Sequence, residues 1–149
     1  MKNVWIGGFL FFSLAFIFCG RSPEVFGAEG LQPLAESQAY QDFLKKPTSD
    51  FSKMVCLLNY FRTAPVIVQF EGIDYTPEIA YPVGLVYLMA NYHNEKPEHW
   101  ARKHCYRSIF SNKIIYLKFR DKSSRPARDV IIEKYHELEE AEGKRASKA

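Results

Sequence analysis

Val66-Ile67-Val68-Gln69-Phe70-Glu71-Gly72-Ile73-Asp74-Tyr75 reads as a β-hairpin, and the neighbouring elements are placed around it. Both flanks are rich in β-branched and aromatic residues, and Gly in the second position of a two-residue loop suits a tight turn. In that register Phe70 faces Ile73 and Val68 faces Tyr75. Val66, Val68, Phe70, Ile73 and Tyr75 then share one dry face, because side chains alternate along a strand, and Ile67, Gln69 and Asp74 take the other.

On the N-terminal side, Thr48-Ser49-Asp50 opens a helix that Pro65 ends. Phe51, Met54, Val55, Leu58 and Arg62 fall on one side at helical spacing, with Ser49 as the cap, and Cys56 lies off that stripe. Residues 36–46 suit a short helix stopping before Pro47, and residues 28–35 read as a mobile lead-in.

On the C-terminal side, Thr76-Pro77-Glu78 starts a helix with Thr as cap, Pro in the first turn and an acid near the positive end. Pro82 should kink it, since proline cannot donate to the Glu78 carbonyl. The helix is apolar nearly all round. Ile79, Val83, Val86 and Ala90 form one stripe; Tyr81, Leu85, Leu88 and Tyr92 form another. Such a helix is expected at the centre of the fold, with a partner on its second side as the alternative.

Asn94 to Lys96 breaks the chain, and Pro97-Glu98 restarts a helix to about Tyr106 with Trp100, Ala101 and His104 inward. Ile114 to Phe119 is a third strand with Ile115, Leu117 and Phe119 facing one way. After the turn over residues 120–124, a last helix begins near Pro126, with Ala127, Val130, Ile131, Tyr135 and Leu138 inward. Residues 139–149 read as a disordered charged tail. The expected class is α+β: a small antiparallel sheet, hairpin plus third strand, packed against about four helices in one domain over residues 48–138.

The start of the chain reads as an address. Lys2 precedes an apolar run from Val4 to Cys19, and Val25-Phe26-Gly27 before Ala28 offers a small-residue cleavage site. Residues 1–27 are therefore read as a signal peptide, which directs the protein to the periplasm or cell envelope. Lipidation at Cys19 is one alternative, although Phe18 is bulky for such a site. An uncut anchor over residues 4–19, at the short limit for spanning a bilayer, is the other. Loss of residues 1–27 takes Lys2, Arg21 and Glu24 from 20 basic and 17 acidic side chains, leaving 18 and 16, a net charge of +2. A body so near neutrality argues against nucleic acid as a partner.

Export bears on the cysteines. An oxidising compartment favours a Cys56–Cys105 disulfide, which would constrain the unfolded chain by about 4 kcal/mol in the entropic picture. The alternative is two small buried hydrophobes.

No residue is assigned as catalytic or metal-binding, and no cofactor is implied. His99 and His104 lie five apart, about 140° around a helix, so they do not share a face for one metal. His104 and Cys105, as helical neighbours, point about 100° apart and cannot act as a base–nucleophile pair. Arg107, Arg120, Arg125 and Arg128 form the one candidate anion site. Arg125 and Arg128 straddle the start of the last helix, whose free N–H groups favour an anion, and Arg120 lies across the preceding turn. The alternative is surface cations partnered by Asp121, Asp129 or Glu133.

The order of Phe61-Arg62, Phe70-Glu71-Gly72-Ile73-Asp74-Tyr75, the helix with Ala80 and Leu85, Trp100, Ser108, Ser111-Asn112-Lys113, the strand to Phe119 and Arg125-Pro126-Ala127 carries a resemblance. Over residues 52–138 the chain resembles the YfeK-like family of small exported bacterial proteins. Glu71-Gly72 stands where that family has Asn-Gly, and Cys105-Tyr106-Arg107-Ser108 replaces a Ser-rich run. The resemblance implies export and the α+β fold. It carries over no active site.

The functional expectation is a non-enzymatic exported domain that binds an envelope protein or wall component, with Tyr60, Tyr81, Tyr87 and Tyr92 as contact aromatics. Two alternatives accompany it: a thiol-dependent hydrolase using Cys105, and a homodimer formed through the Leu85–Tyr92 side of the kinked helix.

Overall fold

The computed structural model describes residues 30–148. The signal segment 1–27, Cys19 and membrane attachment through residues 4–19 lie outside the described residues. In chain order the elements are a 3-10 turn at Leu34–Glu36, α1 (Gln38–Phe43), α2 (Asp50–Thr63), β1 (Val66–Phe70), β2 (Ile73–Tyr75), α3 (Pro77–Asn91), α4 (Pro97–His104), β3 (Tyr116–Phe119), β4 (Ser124–Pro126) and α5 (Ala127–Ala146). The class is α+β. Among these residues no helix is long and apolar enough to cross a membrane.

The hairpin has the expected register, with Val68 opposite Tyr75 and Phe70 opposite Ile73. Glu71 and Gly72 take the turn with φ of 55° and 83°, and the Gly pays no steric cost there. β3 pairs antiparallel on the other side of β1, Val66 opposite Phe119 and Val68 opposite Leu117. A fourth strand, β4, was not foreseen. It pairs with β3, so the order is β2-β1-β3-β4. Pro126 sits on the sheet edge, where its missing N–H is tolerated.

Val66, Leu117 and Phe119 pack under Ala127 and Val130 of α5 and under Leu31. The dry face fades toward the hairpin tip, where Ile73 is exposed. On the opposite face Lys118 Nζ reaches both oxygens of Asp74 at 2.8 Å, and Gln69 also donates to Asp74.

α2 is the central helix because both its sides are apolar. Phe51, Met54, Val55 and Leu58 meet Leu88 of α3 and Trp100 of α4. Cys56, Leu57 and Tyr60 meet Tyr40 and Phe43 of α1, together with Tyr135 and Leu138 of α5. Its start is fixed reciprocally: the Ser49 hydroxyl accepts from Ser52 N–H at 3.1 Å, and the Ser52 hydroxyl accepts from Ser49 N–H at 2.8 Å.

Two local expectations are corrected. Residues 31–34 are not a loose lead-in: Leu31 and Leu34 are buried, and Tyr60 Oη donates to the Gln32 carbonyl at 2.6 Å. α5 does not fray after Leu138 but continues to Ala146. Ala141 packs on the core, and Lys53 pairs with Glu139 and with Glu142, the latter at 3.0 Å. α3 is one helix on both sides of Pro82, where Pro82 and Glu78 are exposed and water can serve the Glu78 carbonyl.

Candidate interaction surface

Both apolar stripes of α3 have a definite place. Leu88 is buried, and Tyr81, Leu85 and Tyr92 are half-buried. This side lies against α2 and α4, with Tyr92 on Phe51 (ring centres 5.2 Å apart) and Tyr81 Oη donating to Asn59 at 2.9 Å. Gly84 faces Leu58 of α2, where an added β-carbon would make an ordinary contact at 3.4 Å. The Leu85–Tyr92 side is therefore packed largely within the domain, against α2 and α4. The other stripe faces out: Ile79, Val83, Val86 and Met89 keep between 58% and 69% of their surface exposed. The central placement expected for the helix is thus half right, because one long side stays open.

The four tyrosines expected as contact residues point inward. Tyr60 is in the core. Tyr87 Oη shares a 3.0 Å hydrogen bond with His104 Nδ1, and the His104 ring lies 4.9 Å from that of Trp100. The exposed aliphatic side chains of α3 offer the contact surface instead. Their signal was in the sequence as the Ile79-Val83-Val86 stripe, but two equally apolar stripes gave no basis for choosing the outer one.

The expected disulfide does not form. Cys56 sits between α2 and α1, where its thiol donates to the Ala39 carbonyl with Sγ 3.6 Å from the oxygen, whereas Cys105 packs beside Met54, Leu88 and Trp100. The two belong to different apolar clusters, and α1 is the element that covers the Cys56 side. Burial pushes both thiols up to about 12, the opposite of what a thiolate nucleophile needs. His104 is held below the ordinary imidazole value, first by burial and then by Lys103.

The arginines do not converge on the start of α5. Arg125 pairs with Glu133 at 2.8 Å, and Arg128 pairs with Asp129 at 2.7 Å. The first helical N–H, of Ala127, is taken by the Ile115 carbonyl at 2.9 Å. Arg120 lies exposed in the β3–β4 turn. Arg107 and Arg128 do come together, with guanidinium carbons 5.0 Å and 3.9 Å from the centre of the Tyr106 ring.

A shallow groove of about 540 Å³ runs between the Leu34 turn and the end of α5. Glu137 and Glu140 line it together with Lys144, Arg145 and Lys148, a mixture of both signs. Among the described residues no group of three His, Cys, Asp or Glu side chains is placed to hold a metal.

The chain matches no protein-family model, no curated protein and no solved structure.

Proposed function

We propose that this chain is a non-enzymatic exported domain of the cell envelope, of the YfeK-like kind, that docks a partner protein on the outer stripe of α3. The observation that carries the reading is the exposure of Ile79, Val83, Val86 and Met89 along one side of a helix. A stable domain rarely leaves so large an apolar strip in water unless another surface covers it. From Ile79 to Tyr92 the sequence has no charged residue, so the strip suits an apolar protein surface better than a sugar-rich or polyanionic wall polymer. Export rests on residues 1–27. The high thiol values of Cys56 and Cys105 favour a binding role over thiol hydrolysis.

A photo-crosslinking amino acid at position 86, expressed in the native host, tests this. The expected result is one discrete protein adduct in the envelope fraction that disappears with Val83→Lys. An adduct of twice the chain's own mass would make the partner a second copy. Absence of any adduct at positions 83, 86 and 89 overturns the reading.

A further inference from the structure

The turn that follows α4 displays two large apolar side chains on a braced frame. Residues 109–113 are all exposed, and Ile109 and Phe110 keep 70% and 79% of their surface in solvent. Looseness does not account for this. Ser108 N–H donates to the Lys113 carbonyl at 2.8 Å, and Asn112 N–H donates to the Ser108 carbonyl at 3.0 Å. Phe110 N–H donates to the Ser108 hydroxyl oxygen at 3.0 Å. From the hairpin turn, Glu71 accepts hydrogen bonds from the hydroxyls of Ser108 and Ser111, which hold its carboxyl below the usual carboxylate range. The Phe110 ring stands edge-on to Phe70, 6.4 Å between centres, and Ile73, the cross-strand partner of Phe70, is exposed beside it. The fold thus fixes an apolar tip at one end of the sheet.

Charge distinguishes this tip from the stripe on α3. Residues 70–73 and 107–113 contain two cations, Arg107 and Lys113, and one acid, Glu71, which two serines and the nearby Lys113 keep ionised, so the tip carries a net charge of +1. Arg107 donates to the Asn112 carbonyl at 2.8 Å and lies over the Tyr106 ring, both neutral partners. A protruding turn loses its contact with water on every side only in a medium that closes around it. A fluid lipid interface does so without a preformed cleft, and its phosphates complement flanking cations.

We propose that the Ile109-Phe110 turn, backed by Ile73 and rimmed by Arg107 and Lys113, inserts into the interfacial layer of an anionic lipid bilayer. This site is separate from α3, so either can fail without the other.

The test uses the chain from residue 28 on, as the proposed export leaves it, carrying Phe110→Trp, with buried Trp100 as internal reference. Trp5 and the apolar run 4–19 are then absent, so both the partitioning and the signal read the tip. On vesicles of phosphatidylethanolamine and phosphatidylglycerol with brominated acyl chains, the emission should shift to the blue and be quenched about twofold or more. On phosphatidylcholine vesicles it should stay unchanged. Adding Arg107→Gln and Lys113→Gln should weaken partitioning about fivefold at low salt, where exposed charges are least screened, and Ile109→Ser about tenfold. Emission unmoved by anionic vesicles overturns the proposal, and so does equal quenching on neutral ones. A protein adduct from a photo-crosslinker at position 110, without any lipid response, also overturns it and assigns the tip to a protein partner.

Discussion

Lys134 Nζ lies 2.7 Å from Glu137 Oε1, and the lysine is buried. Its ammonium also sits 5.5 Å from the centre of the Tyr60 ring, while the other Glu137 oxygen accepts the Leu34 N–H at 3.1 Å. One carboxylate therefore serves a buried cation and anchors the N-terminal turn to α5. Glu137→Ala strands both partners and should cost about 1–3 kcal/mol. Lys134→Met keeps the volume, removes the charge, and should change stability by less than about 1.5 kcal/mol. Urea unfolding of the two variants measures the difference; equal losses would contradict the arrangement.

The two sides of α3 should respond in opposite ways. Val86→Lys on the outer stripe should shift stability by no more than about 0.5 kcal/mol. Leu88→Ala, two residues on and fully buried, should cost about 2–5 kcal/mol. Comparable costs would mean that the stripe is internal.

That pair also marks how far the sequence could be read. The hairpin register was legible because β-branched alternation and Glu71-Gly72 leave one solution, and the buried apolar positions of β3 and α5 followed from spacing, whereas the burial of Lys134 did not. β4 was not legible: Ser124-Arg125-Pro126 has neither alternation nor β-formers, and only the edge of β3 makes it a strand. The length of α5 was hidden by its Glu and Lys content, which looks like a solvated tail until Lys53 and the core supply partners from another helix. At Cys56 the sequence left a disulfide and a small buried hydrophobe both open, because a helix with two apolar sides offers no way to tell which neighbour covers which; the structure has the second. Ile109-Phe110 drew no notice in the sequence, because its display depends on the brace from Glu71, a residue 37 positions from Ser108.

His104 gives the domain a pH dependence of known sign. Burial and then Lys103 lower its value from 6.5, Glu95 raises it, and His93 lowers it further; Tyr87 engages its Nδ1. The folded state thus binds the proton more weakly than the unfolded chain. The contribution is present in full above about 6.5 and is lost as pH falls below that value toward the depressed folded one. Unfolding free energies between pH 7.5 and 5 should decline, and His104→Gln should flatten the slope. A His104 variant with an unchanged slope refutes this.

Thiol chemistry provides an independent check. The native protein at pH 8 without reductant should label at Cys56 and Cys105 about a hundredfold or more slowly than a free thiol, because burial holds both in the protonated form. In denaturant, still without reductant, both should label completely. Failure in denaturant, with recovery on reduction, would mean that the two are bridged.

The outer strands of the sheet, β2 and β4, are three residues each. One carries Asp74 clamped by Lys118, and the other ends in a proline with no amide hydrogen to offer. A foreign chain seeking to extend the ladder would find few rungs on either margin, so this fold resists fibril templating even with apolar side chains on display elsewhere.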